Sequence, residues 1–98
     1  MTDQLDGRKA LVTGGSRGIG RATALGLAAQ GAAVAVGYVR NEVAAREVVE
    51  AIEGRGGTAV AVRADLSRPA EVTRGFEAAE RALGSLDIVV ASAGGGAF

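Results

Sequence analysis

The sequence predicts an α/β fold in which a parallel β-sheet is covered by helices on both of its faces. Short apolar runs alternate with amphipathic segments along the chain, and each of the three amphipathic segments is followed by glycine. The apolar runs lack the alternation of polar and apolar residues that marks a sheet exposed to water on one side. Strands of this kind, joined by helices through right-handed crossovers, belong to a doubly wound parallel sheet.

Each element has its own local signal. The predicted strands cover residues 9–13, 33–38, 58–62 and 86–91, and the predicted helices cover residues 19–30, 42–53 and a third segment between Ser67 and Gly84. The second helix carries an apolar stripe with helical spacing, formed by Ala45, Val48, Val49 and Ile52. We expect Asn41 to cap this helix and Ser67 to cap the third, ahead of Pro69 in its first turn. The predicted order is therefore βαβαβαβ.

Length and composition exclude several classes of function. A chain of 98 residues is at most one domain. It contains no cysteine and no histidine, which excludes disulfides, thiolate or imidazole metal sites, and Ser-His or Cys-His catalysis. No apolar run approaches the roughly 20 residues of a membrane span, and the N-terminal segment is polar, unlike a signal peptide. We therefore expect a cytoplasmic protein with no metal site and no membrane partner.

The distribution of charge favours a small anionic ligand. The net charge is zero. The segment 8–40 nevertheless contains no acid and five cations, which are Arg8, Lys9, Arg17, Arg21 and Arg40. A nucleic-acid-binding protein is more often basic overall and rich in aromatic residues, whereas this chain has one tyrosine and two phenylalanines. We expect no nucleic-acid partner, and a compact anion bound near the first half of the chain.

A glycine-rich turn separates the first predicted strand from the first predicted helix, with the sequence Thr13-Gly14-Gly15-Ser16-Arg17-Gly18-Ile19-Gly20. Free N–H groups at the start of a helix bind anions, and glycines let the main chain approach a diphosphate. The glycine spacing also matches a P-loop, but Arg21 and Ala22 replace the Lys and Ser/Thr that a P-loop needs. The alternative interpretation is a tight turn without a ligand, which the flanking strand and helix disfavour.

The pattern Thr13-Gly14-x-x-x-Gly18-x-Gly20 resembles the cofactor loop of the short-chain dehydrogenase/reductase family, and the resemblance runs from Leu5 to Gly94. It implies a Rossmann-type sheet with strand order 3-2-1-4, and an NAD(P)-dependent oxidoreductase that reduces carbonyls or oxidises alcohols. Residues 37–42 and 63–67 look most like the 3-oxoacyl-acyl-carrier-protein reductase group. Complete members are usually homotetramers or dimers. Residues 1–98 would then be the N-terminal, dinucleotide-binding part of one domain, truncated after the fourth strand.

The resemblance also implies the residues that contact the dinucleotide. In the glycine turn these are Gly14, Ser16, Arg17, Gly18, Ile19 and Gly20. After the third strand, Asp65 would contact the adenine amino group and Leu66 would pack on the ring. The alternative for Asp65 is a turn that leads into the third helix. After the fourth strand the family usually has Asn-Asn-Ala-Gly, and Ser92, Ala93 and Gly94 would lie near the nicotinamide ribose, with a hydroxyl in place of an amide at Ser92.

The end of the second strand predicts which dinucleotide binds. An NAD enzyme places an acid there, about 20 residues after the glycine turn, to bind the adenosine ribose. Tyr38 occupies that position, followed by Arg40 and Asn41, and no acid precedes Glu42. We expect Tyr38, Arg40 and Asn41 to contact the dinucleotide at this corner. Two guanidiniums, from Arg17 and Arg40, would suit a 2′-phosphate. We therefore expect NADP(H) rather than NAD(H), although Arg40 alone could equally be a solvated residue ahead of a helix.

The catalytic residues of the family have no counterpart in this sequence. The family uses a Tyr with a Lys four residues later, together with a Ser. The only tyrosine here is Tyr38, followed four residues later by Glu42, and the only lysine is Lys9. No catalytic residue is assigned, and we expect the 98 residues alone to be inactive. A non-catalytic nucleotide-binding module is the alternative, whereas a flavodoxin-like signalling domain would require acids after the first strand.

Overall fold

The computed structural model describes residues 4–14 and 17–92. In these ranges the elements are β1 (Lys9–Thr13), α1 (Gly18–Ala29), β2 (Ala33–Tyr38), α2 (Glu42–Glu53), β3 (Ala59–Arg63), α3 (Pro69–Leu83) and β4 (Ile88–Ala91). The predicted order is confirmed. α1 lies one residue earlier than expected and β3 one residue later. β4 begins two residues later than expected, at Ile88 rather than at residue 86.

The four strands form one parallel sheet in the order β3-β2-β1-β4, as predicted. β1 is central: Leu11 pairs with Ala35 of β2 and with Val89 of β4. The chain therefore builds outward from β1 in one direction through β2 and β3, and then returns to the other side of β1 for β4. Ligands in open parallel sheets bind outside the carboxyl ends of the strands where the strand order reverses. Here that point lies between β1 and β4.

Helices cover both faces of the sheet and create two apolar clusters. On one face, α1 and α2 pack on β-strand residues, in a cluster that contains Val12, Ala24, Val34, Val36, Ala45, Val48 and Ile52. On the other face, α3 contributes Ala79 to a cluster with Leu11, Ala35 and Val62. The predicted stripe of α2 is confirmed, because Ala45, Val48 and Ile52 are buried and Val49 packs against the first cluster. Strands buried on both faces explain the continuous apolar runs in the sequence.

Two glycines allow backbone segments to approach closely near the carboxyl edge of the sheet. A Cβ atom at Gly37 would lie 3.0 Å from the carbonyl oxygen of Val12, in the neighbouring strand β1. A Cβ atom at Gly75 would lie 2.8 Å from the Cβ of Ala64, so α3 rests almost directly on the residue that follows β3. These contacts fix the positions at which the chain leaves β2 and β3.

The start of α3 corrects one prediction. Ser67 does not cap this helix; the N-cap is Arg68, without a side-chain hydrogen bond, and Pro69 occupies the first turn. The Ser67 hydroxyl instead donates to Oδ1 of Asp65 over 2.7 Å, and the Ser67 backbone N–H donates to the same oxygen over 3.0 Å. A capping side chain accepts an N–H from the first turn of its helix, and Ser67 lies one residue too early for this because the N-cap is Arg68. The serine therefore closes an Asx turn before the helix begins.

β4 forms the edge of the described sheet. It pairs with β1 alone among the described strands, and Val89 remains 46% exposed although its register partner Leu11 is fully buried. In the part of the chain that the structure describes, β4 therefore has a strand partner on one side only. None of the helices in residues 17–92 has the length and hydropathy needed to cross a bilayer.

Candidate functional site

The glycine turn joins β1 to α1 through two left-handed backbone positions. Gly14 has a φ of 67° and Gly18 has a φ of 57°, conformations in which a Cβ atom is strained. A Cβ at Gly18 would meet no atom within 4 Å, so the requirement there is conformational rather than a lack of space. Gly20 is buried in the first turn of α1, and Ile19 is 81% exposed. Ser16 lies outside the described residues.

The first turn of α1 has neither the capping side chain of α2 nor the acid that lies in the first turn of both α2 and α3. Its N-cap, Arg17, is extended and makes no side-chain capping bond, and no acid lies in the first turn. At α2, by contrast, Oδ1 of Asn41 accepts the Ala44 N–H over 2.9 Å and Glu42 follows directly. The first amides of a helix and its dipole both attract anions. Among the described residues, no side chain competes for the amides of α1.

The corner after β2 is positively charged at its exposed tip. Arg40 is exposed, and neither Arg40 nor Arg17 takes part in an ion pair between described residues. The first acid after β2, Glu42, accepts two hydrogen bonds from Arg46, at 3.0 and 2.7 Å. These bonds raise the pKa of Arg46 and pair the charge of Glu42 locally. Tyr38 ends the strand half-buried and packs against the α1/α2 cluster.

Asn41 and Asp65 both use a side-chain oxygen within their own turns. Asn41 was predicted to contact the cofactor, and its Oδ1 is engaged by the start of α2, which leaves its amide NH₂ for other partners. Oδ1 of Asp65 accepts both bonds from Ser67, and these hydrogen bonds hold the pKa of Asp65 below its ordinary value. Oδ2 of Asp65 accepts no bond from the described residues. Leu66, beside it, is 45% exposed.

Thr13 connects the glycine turn to the end of β4, a role that its position in the sequence motif alone does not predict. Its hydroxyl donates to the Val90 carbonyl over 3.3 Å, and its Oγ1 accepts the N–H of Ser92 over 3.3 Å. The Ser92 N–H also donates to the Thr13 carbonyl, over 3.3 Å. The available signal was the position of Thr13 at the head of the glycine motif. Ala93 and Gly94, the next predicted residues, lie outside the described residues.

The sheet brings the predicted ligand-binding segments to one edge. Thr13, Tyr38, Arg63 and Ala91 end the four parallel strands, so the glycine turn, the Arg40 corner, Asp65 and Ser92 all follow carboxyl ends. A cavity of about 660 Å³ lies at the opposite, amino edge, where its lining includes Arg8, Leu25, Arg55 and Thr58. The carboxyl edge is the place where parallel sheets bind ligands. The described residues contain no cluster of acids suited to a metal ion.

Comparison with known proteins identifies the family. The model of the family described as short chain dehydrogenase matches residues 8–98. The chain belongs to the short-chain dehydrogenase family. It is a family of oxidoreductases that bind a nicotinamide dinucleotide. The resemblance drawn from the glycine motif is therefore confirmed at the level of the family.

Individual relatives of this short-chain dehydrogenase chain agree in sequence and in fold. It is 50% identical over 90 residues to a hydroxynaphthalene reductase-like protein of Metarhizium robertsii. The matched segment covers 92% of the present chain and 34% of the Metarhizium protein. A dehydrogenase/reductase from Sinorhizobium meliloti superposes with a TM-score of 0.89 at 48% identity, over 93% of this chain and 36% of the other.

A second solved relative is a short chain dehydrogenase from Burkholderia cenocepacia in complex with NADP. It superposes with a TM-score of 0.84 at 46% identity, over 88% of this chain and 35% of that one. The present chain thus spans about a third of the length of the relatives it matches. At these identities the likeness extends to side chains as well as to the course of the backbone.

Proposed function

We propose that this chain holds NADP(H) at the carboxyl edge of its sheet, with the diphosphate against the first turn of α1. The observation that carries the proposal is the start of that helix. Left-handed glycines at positions 14 and 18 open the turn, and neither an acid nor a capping side chain occupies the first amides within the described residues. Such amides donate hydrogen bonds to a diphosphate, and the dipole adds to the attraction.

The choice of NADP(H) over NAD(H) is argued from the corner after β2. β1 and β2 are parallel neighbours, so the segments that carry Arg17 and Arg40 leave the sheet at the same edge. Neither guanidinium is paired with an acid among the described residues, and both present forked donors that suit a 2′-phosphate. The acid that would bind an unphosphorylated ribose is absent, since Tyr38 occupies its position. The NADP complex of the Burkholderia relative supports this choice.

The remaining predicted contacts follow the same edge. We assign Asp65, ionised at neutral pH, and exposed Leu66 to the adenine, and Tyr38 and Asn41 to the lining of the ribose corner. Ser92, Ala93 and Gly94 are assigned to the nicotinamide ribose, and Ser16 and Ile19 to the diphosphate side, together with Gly20. These assignments complete one extended path along the carboxyl ends of β3, β2, β1 and β4, which is the strand order of the sheet.

The proposed reaction of the whole protein is reduction of a carbonyl or oxidation of an alcohol, with the dinucleotide supplying or accepting a hydride when bound. Protonation of the carbonyl oxygen requires an acid beside the reacting atom. Tyr38 packs half-buried against the core, and Lys9 begins β1 at the opposite edge of the sheet. We therefore expect these 98 residues to bind the cofactor without turning over a substrate.

Narrower expectations from the resemblance stay predictions. Two of these concern the whole protein, its cytoplasmic location and the assembly of complete members into homotetramers or dimers. The other two are the likeness to 3-oxoacyl-acyl-carrier-protein reductases and the prediction that residues 1–98 form the N-terminal, dinucleotide-binding part of a single domain. The relatives named above carry other descriptions.

Titration of the purified chain with NADPH and with NADH tests the proposal. NADPH should bind more tightly by roughly tenfold or more, the worth of a charge-assisted hydrogen bond to the 2′-phosphate. Arg40→Glu should abolish this preference while leaving NADH binding nearly unchanged. Arg81→Glu, the same change at the far end of α3, should keep the preference. Equal or tighter binding of NADH by the wild-type chain would contradict the roles of Arg17 and Arg40.

A further inference from the structure

Arg63 occupies a bridging position beside the corner that carries Arg40. It is the last residue of β3, and its register partner is Tyr38, the last residue of β2. The chain therefore leaves β2 directly next to the Arg63 side chain. Its guanidinium contacts one oxygen of the segment that follows β2 and one oxygen of α3, and no local sequence pattern indicates these contacts.

The Arg63 guanidinium makes two directed bonds. Its Nε donates to the carbonyl oxygen of Val39 over 3.1 Å, and its Nη1 donates to Oε1 of Glu71 over 3.3 Å. The Glu71 side chain lies in the first turn of α3 and is 18% exposed. Oε2 of Glu71 is held in turn by Nη1 of Arg74, over 3.3 Å. The β2–α2 corner is thus linked to α3 through Arg63 and Glu71. We call this pair of residues the brace.

The brace acts on the peptide unit that carries Arg40. The Val39 carbonyl and the Arg40 N–H belong to the same planar peptide group, so fixing that carbonyl fixes the direction in which Arg40 departs. The preceding carbonyl, of Tyr38, accepts the Ala64 N–H over 2.8 Å, and the following residue, Asn41, caps α2. Arg40 is therefore the exposed residue between two anchored neighbours.

From this geometry we infer that Arg63, anchored by Glu71, is a positioning residue that holds Arg40 toward the 2′-phosphate and so sets the preference for NADP(H). The inference rests on the proposed function, because it assigns Arg63 to the specificity of that same site. A forked side chain is required, since Nε and Nη1 serve different acceptors at once. Lysine would keep the positive charge but could not hold both acceptors in this arrangement.

Two variants separate positioning from simple attraction by charge. Arg63→Lys keeps the positive charge but removes the guanidinium, whose Nε and Nη1 donate to two different acceptors. Glu71→Gln weakens the anchor while making the region more positive by one charge. If Arg63 acted only through its charge, Arg63→Lys would be neutral and Glu71→Gln would tighten NADPH binding. Positioning predicts the opposite, that both variants weaken NADPH binding while NADH binding changes little.

The experiment measures the Kd of NADPH and of NADH for the purified chain and its variants by calorimetry. We expect the preference for NADPH to fall roughly three- to tenfold in Arg63→Lys and in Glu71→Gln, the worth of one hydrogen bond. Arg81→Lys and Glu77→Gln make the same replacements on exposed parts of α3, outside the brace, and should leave the preference unchanged.

The outcomes distinguish the two proposals. An unchanged preference in both brace variants, or an equal weakening of both dinucleotides, overturns the role of Arg63 and leaves the proposed function standing. Tighter binding of NADPH by Glu71→Gln overturns it in favour of charge alone. If the wild-type chain binds NADH and NADPH with equal affinity, the role of Arg40 is contradicted. Both proposals then fail, because both depend on that role. Selective loss of NADPH affinity in both variants supports positioning.

Discussion

Single polar side chains at the carboxyl edge act chiefly by holding the backbone. Thr13 joins the ends of β1 and β4 through its hydroxyl, Asn41 closes the first turn of α2, and Asp65 closes the turn before α3. Each of them satisfies backbone groups that the ends of strands and helices leave without partners. Hydrogen bonds within the chain therefore already shape the segments that are proposed to bind the cofactor.

The Asp65 turn gives a pH-dependent prediction. Hydrogen bonds from Ser67 lower the pKa of Asp65 below its ordinary value of 3.8. A lowered folded-state pKa stabilises the folded chain above the unfolded value, and this contribution is lost as the pH falls through the lower, folded value. In Ser67→Ala we expect the pKa of Asp65 to rise toward 3.8 and acid unfolding to begin at a higher pH.

A carboxyl-carbon NMR titration measures the pKa of Asp65 directly. Ser85→Ala serves as the control, because Ser85 is exposed and makes no side-chain hydrogen bond with the described residues. An Asp65 pKa that is the same in the wild type, Ser67→Ala and Ser85→Ala would show that the Ser67 hydroxyl does not determine it.

At the scale of elements, the three helices begin in three different ways, and the difference assigns them different roles. α2 has a capping asparagine and an acid, and α3 has a proline and an acid. α1 has neither a capping side chain nor an acid in its first turn. Anions near the first turn stabilise a helix. α2 and α3 supply their own acid, whereas α1 has none, as the proposed diphosphate site requires.

The packing of α3 on β3 gives a prediction about stability. Gly75→Ala adds a Cβ that would lie 2.8 Å from the Cβ of Ala64, a contact that requires the helix to shift. Overpacking of this kind costs roughly 1–3 kcal/mol, against a gain of about 1 kcal/mol in helix propensity. We therefore expect a lower free energy of unfolding, measured by urea denaturation.

Gly26→Ala is the matched control for Gly75→Ala. Gly26 lies within α1, and an added Cβ would meet no atom within 4 Å. This variant should gain stability by up to about 1 kcal/mol through helix propensity. If Gly75→Ala raised the free energy of unfolding as much as Gly26→Ala, the close packing of α3 on the end of β3 would be disproved.

Local signals in the sequence sufficed for most of the elements but not for contacts between them. The stripe of α2 and the Asn41 cap lie within one or two helical turns, so periodicity and capping rules find them. The cap predicted at Ser67 was wrong because α3 begins one residue later than expected, after Arg68, and local patterns do not fix a helix boundary to one residue. The contact of Arg63 with the Val39 carbonyl could not be predicted from local patterns. The two residues are 24 positions apart in the sequence and are brought together only by the pairing of β2 with β3.

At the scale of the whole molecule, the parallel sheet has two chemically different edges. The carboxyl edge carries the glycine turn, the Arg40 corner, Asp65 and Ser92, each following the end of a strand. The amino edge carries a cavity of about 660 Å³, with Arg8 and Arg55 among its lining residues. An anion could be attracted to cations at either edge, but only the carboxyl edge adds the start of α1 to its positive charge. This is why the diphosphate is assigned there.

Amide chemical-shift mapping of the ¹⁵N-labelled chain during titration with NADPH tests the assignment most directly. The largest shifts should fall on the backbone amides of Gly18, Ile19 and Gly20, with a second set at Arg40 and Asn41. Largest shifts instead at Arg8, Arg55 and Thr58, around the cavity at the amino edge, would contradict the diphosphate site at the start of α1.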